Sequence, residues 1–344
     1  KRPDELGTRR ERGRIYLDQG DWAKALDDFS ELIRLRPEVS WYWCDRGNTY
    51  LRLGEHEKAV ADLTKAIGVA DAATERTLRG EAYRALGRWE QAEADFSRAI
   101  EFRPDWDSWR RRGELYAELG QWEKAEADLT RAMELAPGNT VTGYHLALVC
   151  LAREDRAGYH KACAALLELE ALKPDPNTAY WAAWTCVLAP QAGVDPQRVV
   201  QLAEQAVASY PKRASVLVAH GAALYRAGRY EEAVQRLLES EAAFAHEPGG
   251  GTVVYPRLFL VMTHQRLDNH QEAQRWLDSA RQAIERPVPA TKPATTQPRT
   301  PAEPWNRVVT VRSLRAEAEA LSGVPHANIE HQAPRSRPED TQPH

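Results

Sequence analysis

Apolar positions along the chain recur in short blocks at helical spacing, and the blocks come in pairs. The segment 106–137, WDSWRRRGELYAELGQWEKAEADLTRAMELAP, shows the unit most plainly. Trp109, Gly113 and Tyr116 form one stripe, and Trp122, Ala125, Leu129 and Ala132 form the next. Gly120 separates the two patterns and Pro137 ends the second. A glycine suits a left-handed helix C-cap and a proline cannot continue a helix, so the spacing predicts a helical hairpin. Gly113 and Ala125 have almost no side chain, which lets the two helices approach closely there. One hairpin cannot bury both of its faces, so neighbours must stack on it.

Those neighbours are visible in the sequence. Gly13, Gly47, Gly80 and Gly113 recur at spacings of 34, 33 and 33, followed by Tyr16, Tyr50, Tyr83 and Tyr116. Gly20, Gly54, Gly87 and Gly120 come next, then Ala25, Ala59, Ala92 and Ala125, then Phe29, Leu63, Phe96 and Leu129. Pro37, Pro104 and Pro137 close three of these units, with Asp71 standing at the second. The pattern resembles the tetratricopeptide repeat, whose period is about 34 residues. The resemblance implies an all-α superhelix, an α-solenoid of about eight helical hairpins. Residues 6–138 hold the four regular repeats and 139–285 hold four divergent ones. In the divergent block, the copy from Val141 to Lys173 carries extra residues at Glu154 to Gly158, expected between its helices. The next is broken at Pro190 to Pro196, and Gly249 to Gly251 reads as a flexible loop before the eighth.

Residues 286–304 read as an extended Pro/Thr-rich linker, and 323–344 as a disordered tail. Between them, 305–322 regains a helical stripe at Val308, Val311, Leu314 and Ala318. Repeat arrays need a terminal element over their last exposed face, so this segment is expected to cap repeat eight. A helix held on a linker for a partner is the other reading.

The net charge of −4, from 46 basic and 50 acidic residues, gives no electrostatic reason to expect nucleic acid or an anionic membrane. No run of about 18 apolar residues and no charged-then-apolar leader is present. Cys44, Cys150, Cys163 and Cys186 lack metal-ligand spacing and read as small core residues, which fits a reducing cytosol. The chain begins at Lys1, and reads as a piece of something longer.

Candidate chemistry is sparse. His264 and His270 stand six apart, on different faces of a helix, and the HExxH pattern begun at His56 fails at Val60. With no phosphate loop or nucleophile motif, no catalytic residue, metal site or cofactor is expected. The runs Arg9–Arg12 and Arg110–Arg112 are interrupted by acids and read as solvated faces and ion pairs. One feature exceeds what packing requires. Arg12, Arg46, Arg79 and Arg112 each precede a repeat glycine, and Asp28, Asp62, Asp95 and Asp128 each precede the Phe or Leu of the second helix. These predict a ladder of Arg–Asp pairs, within or between repeats, fixing the stacking.

In tetratricopeptide proteins the first helices of successive repeats line a concave, peptide-binding groove. That resemblance places Arg10, Arg14, Asp18, Trp41, Cys44, Asn48, Arg52, Thr77, Glu81, Arg84, Arg110, Glu114 and Ala117 on the partner-binding face. A carboxylate clamp is not expected: Arg10 can replace one family lysine, but Asp45 opposes the charge. The later stretches, including VTGYHLALVCLAREDRAGYHKACAALLE and HGAALYRAGRYEEAVQRLLES, are similar to the C-terminal repeat region of large bacterial Ser/Thr protein kinases and WD40-containing proteins. This likeness implies a cytoplasmic recruiting or regulatory tail with a protein or peptide partner and a kinase domain upstream in the same polypeptide. An RNA-binding helical repeat is the alternative, although the first-helix positions show no recurrent base-reading code.

Overall fold

The computed structural model describes residues 3–246, 253–285 and 304–323. The loop at Gly249–Gly251, almost all of the predicted linker and the predicted tail lie outside them. Among the described residues every regular element is a helix, and the fold is an all-α helical-repeat solenoid. Eight antiparallel hairpins follow in order: α1 (Pro3–Gln19) with α2 (Trp22–Leu35), α3 (Ser40–Leu53) with α4 (His56–Val69), and α5 (Ala73–Ala85) with α6 (Trp89–Phe102). Next are α7 (Trp106–Glu118) with α8 (Trp122–Leu135), α9 (Thr140–Ala152) with α10 (Arg156–Leu172), and α11 (Pro176–Val187) with α12 (Pro196–Ser209). The last two are α13 (Ala214–Arg226) with α14 (Tyr230–His246) and α15 (Val254–Arg266) with α16 (His270–Glu285); a single helix, α17 (Trp305–Leu321), follows.

The turns follow from local chemistry. Gly54 and Gly120 adopt the left-handed conformation at φ 78° and 68°, ending α3 and α7 where a side chain would be strained. Asn139, Asp155 and Asp175 then accept backbone N–H groups at the starts of α9, α10 and α11, satisfying donors that have no partner within the helix. Asp155 also accounts for a departure from expectation. The extra residues of the fifth repeat do not widen the turn; capping at Asp155 starts α10 at once, and the excess lengthens that helix to 17 residues against 14 in α8.

The described chain forms two compact units. The first comprises residues up to Tyr116 with Ala127–Leu135, and the second comprises Ala117–Glu126 with the residues from Ala136 onward. In the first unit the repeat glycines do what their spacing predicts. A Cβ on Gly13, Gly47 or Gly80 would stand 2.8, 2.8 or 2.6 Å from Phe29, Leu63 or Phe96, so the second helix lies as close as a bare backbone allows. Ala25, Phe29, Ala59, Leu63, Ala92 and Phe96 are fully buried along these seams.

The Arg–Asp ladder is present in all four repeats of that unit. Arg46 grips Asp62 with Nε at 2.6 Å and Nη2 at 2.9 Å, Arg79 grips Asp95 at 2.7 and 2.9 Å, and Arg112 grips Asp128 at 2.7 and 3.0 Å. Arg12 makes the same fork to Asp28. The remaining Nη1 of the inner three reaches the preceding repeat, donating to Ser30, Thr64 and Ser97. Each arginine therefore ties a hairpin internally and to its neighbour. Among the described residues Arg12 makes only the fork to Asp28, and its side chain is 53% exposed against 14% for Arg79.

In the second unit the first helices α9, α11, α13 and α15 are neighbours in sequence order, and Gly143 and Gly221 repeat the close seam against Leu166 and Leu237. The ladder is absent because Thr142 and His220 stand where its arginines would. Helix α17 belongs to this unit. It packs on α9 and α15, so its contacts extend from repeat eight back to repeat five. Its buried side is Trp305, Val309, Thr310, Val311, Leu314 and Ala318, whereas Val308, expected on the apolar stripe, is 47% exposed.

Candidate functional site

In the first unit, the first helices α1, α3, α5 and α7 carry the positions expected to meet a partner. The helices pack so that these positions divide into three groups. Cys44, Thr77 and Glu114 are buried at seams between neighbouring first helices. Thr77 donates to the Ala73 carbonyl at 2.8 Å and faces Ser108 at 3.5 Å, and burial pushes the Cys44 thiol well above its ordinary range. These three support the face without being offered on it.

Glu81, Arg84, Arg110 and the buried Glu114 belong to a second group, a closed ionic network across α5 and α7. Arg84 reaches Glu114 at 3.1 Å, Arg111 bridges Glu81 at 2.8 Å and Asp107 at 2.7 Å, and Arg110 pairs with both Asp107 and Glu114. Three arginines meet three carboxylates, so the patch is neutral. Burial alone would raise the Asp107 carboxyl, yet the two arginines hold it below the ordinary carboxylate range. Sequence reasoning missed Asp107 and Arg111 as members; their i,i+4 spacing is the signal that identifies the pair.

The third group is accessible. Trp41 is 51% exposed, Arg14 and Arg52 are exposed, and Asn48 is half-buried. Arg10 lies over the Trp41 ring at 5.6 Å and donates to Asp45 at 2.6 Å. Arg10 is thus already engaged, which removes it as a stand-in for a carboxylate-clamping lysine. Burial raises the Asp45 carboxyl against the pull of Arg10. Arg52 has no carboxylate partner among the described residues. The resulting surface combines an exposed indole, the exposed guanidinium of Arg52, that of Arg14 in a loose 3.8 Å pair with Glu11, and an amide.

The arginines of the two basic runs have carboxylate partners within the chain. Arg9, Arg10 and Arg12 pair with Asp28 or Asp45, while Arg110, Arg111 and Arg112 pair with Asp107, Glu81, Glu114 or Asp128. A phosphate would have to displace carboxylates already in place.

One group of potential metal donors occurs among the described residues: Glu126, Cys150 and Asp155, all in the second unit, with ligand atoms within 4.8 Å of one another. Their chemistry has other uses. Arg153 pairs with Glu126, Asp155 caps α10, and burial pushes the Cys150 thiol up to about 11, away from the thiolate a metal would need. All four cysteines are free and buried. No described helix is long and apolar enough to cross a membrane.

Comparison with known proteins agrees with this architecture. Family models described as tetratricopeptide repeat match residues 10–74 and 77–140, and again 214–239 and 254–279. No curated protein sequence matches the chain. Among solved structures, a tetratricopeptide repeat protein from Parabacteroides merdae is 18% identical with a TM-score of 0.50, covering 76% of this chain and 99% of its own. The Cut9–Hcn1 hetero-tetramer of the APC/C gives 14% and 0.51, covering 85% of this chain and 52% of that one. PilW, a type IV pilus biogenesis factor, gives 16% and 0.50, covering 62% and 98%. These likenesses establish the fold. With the glycine seams, the repeat spacing and the matched models together spanning more than half of its residues, the chain belongs to the tetratricopeptide-repeat family.

Proposed function

We propose that the protein is a non-catalytic binding scaffold, and that the first-helix face of its first unit takes a peptide segment of a partner protein. The exposed Trp41, together with the accessible Arg14, Asn48 and Arg52 along the first helices α1 and α3, carries this reading. A large indole left half in water gains by burial against an apolar side chain, and exposed guanidinium groups further along the same helices favour carboxylates in an extended ligand. The fitting partner is therefore an acidic, extended segment with an apolar residue that covers Trp41. The neutral network of Glu81, Arg84 and Arg110 borders the site and disfavours charge beyond it. In the wider setting implied by the likeness to kinase-associated repeat regions, the scaffold is the recruiting or regulatory tail of a larger cytoplasmic signalling protein. A gene whose coding sequence before Lys1 holds no catalytic domain would restrict the reading to a general scaffold.

A display library of acidic peptides containing one apolar residue tests the site directly. Selected peptides are expected to lose binding with Trp41→Ala and with Arg52→Glu, and to keep it with Leu172→Ala, an exposed residue of the second unit. Binding indifferent to both changes would overturn the assignment.

A further inference from the structure

Helix α17 meets the four first helices of the second unit one after another, in the order in which the chain makes them. Near its start, Trp305 packs edge-on against His145 of α9 with ring centroids 5.2 Å apart. In its middle, Ser313 donates to the carbonyl of Leu188, the residue that ends α11, at 3.2 Å. Further on, Arg226 of α13 holds Glu317 at 2.7 Å. At the end, Gln265 of α15 donates to Ser322 at 3.2 Å. The dimensions agree: a helix of 17 residues is about 25 Å long, and four helices packed side by side span three intervals of about 8–10 Å.

This is the geometry of a helix bound in a groove, with an aromatic anchor at one end, Leu314 and Ala318 fully buried between, and a charge-paired acid beyond. The Arg226 seat is built for that acid. The same guanidinium donates to the Val187 carbonyl at 2.9 Å, so its position is fixed from the groove side, and its side chain is 11% exposed. The seams that close the individual hairpins do not involve α17: Gly143 of α9 closes on Leu166 of α10, and Gly221 of α13 on Leu237 of α14.

We propose that the first-helix face of the second unit is a helix-binding site, and that the chain's own Trp305–Leu321 segment is its resident, exchangeable ligand. The site reads an amphipathic helix by three features: a tryptophan, a leucine nine residues on, and a glutamate three residues after that. Covalent attachment keeps the segment in place. A ligand on the same chain competes at an effective concentration on the order of mM, so a free helix of the same chemistry enters measurably only when that advantage is removed. The inference concerns the second unit, and its failure would leave the Trp41 site of the first unit standing.

The test uses the full chain with a protease site introduced within residues 286–303, cut after folding, and a fluorescent peptide of residues 304–323 as probe. Cut protein is expected to exchange its segment for the probe, while uncut protein binds the probe about 100-fold more weakly. In the cut form, Arg226→Glu is expected to weaken the probe roughly tenfold or more. A probe carrying Glu317→Arg should recover binding to Arg226→Glu, which separates a lost charge pair from a misfolded groove. Two results would overturn the proposal: cut protein that retains its segment without exchange for as long as it stays folded, or probe binding that Arg226→Glu leaves unchanged.

Discussion

Arg112 and Ser97 join consecutive hairpins of the first unit, with Nη1 donating to Oγ at 2.9 Å while the rest of the same guanidinium grips Asp128. The two contacts differ in weight. Removing Ser97 Oγ forfeits one half-buried hydrogen bond, and Ser97→Ala is expected to cost about 1 kcal/mol. Asp128→Ala leaves a largely buried guanidinium without its counter-charge and is expected to cost about 3 kcal/mol. Urea midpoints followed by circular dichroism check both. Equal effects from the two changes would show that the ladder does not act through its carboxylates.

Glycine substitutions separate close packing from helix propensity. A Cβ at Gly221 would lie 2.6 Å from Leu237 Cγ and 3.2 Å from the Leu237 backbone nitrogen, so the neighbouring helix has to shift. Gly221→Ala is expected to destabilise by about 1–3 kcal/mol, despite the better helix former. Gly68, on α4, has nothing within 4 Å of the same position. There Gly68→Ala is expected to stabilise by about 0.5–1 kcal/mol, because only the unfolded chain notices the change. Thermal unfolding of the two variants should move in opposite directions.

These two predictions rest on features that the sequence displays unequally. The glycine seams were legible because a missing side chain at a fixed period has one economical explanation. The Arg–Asp pairs were legible for the same reason. The third arm of the ladder was overlooked although Ser30, Thr64 and Ser97 each follow the conserved-register Phe or Leu. Side-chain reach across a seam depends on how hairpins stack, and period alone does not specify it. The same limit explains the binding face. The family resemblance placed Cys44, Thr77 and Glu114 on the same face as Trp41, but packing buries all three. For α17 the spacing predicted a helix, yet nothing in one amphipathic stripe states which surface it will meet. Held along four helices, it buries Trp305 and Val309 and leaves Val308 in solvent.

His220 is expected to make the second unit sensitive to mild acid. Its ring is buried on α13, and neither nitrogen has a hydrogen-bond partner among the described residues. Burial pushes its pKa below the ordinary value, Arg236 and Arg229 push in the same direction, and Glu204 at 3.9 Å and Glu232 oppose them. The unfolded chain binds a proton near the ordinary value of about 6.5 while the folded unit resists it, so this contribution to stability is present above that pH and lost as pH falls. The urea midpoint should fall between pH 7.5 and 5.5, and His220→Leu should flatten that dependence. A variant with an unchanged slope would place the sensitivity elsewhere.

Glu154 sits where the earlier repeats place a glycine, and it takes the same left-handed backbone, at φ 60°. A residue with a Cβ is strained there by about 1–2 kcal/mol, because the side chain crowds its own carbonyl. Glycine relieves that strain but returns about 0.5–1 kcal/mol of extra freedom to the unfolded chain. The balance favours Glu154→Gly by about 0.5–1 kcal/mol. Glu55, in the corresponding turn of the second repeat, provides the control. Its φ of −86° suits any residue, so Glu55→Gly gains nothing in the folded state and should destabilise slightly. Differential scanning calorimetry of the two variants should show a higher transition for Glu154→Gly and a lower one for Glu55→Gly. A loss of stability at both positions would mean that the Glu154 side chain does more for the turn than its backbone conformation costs.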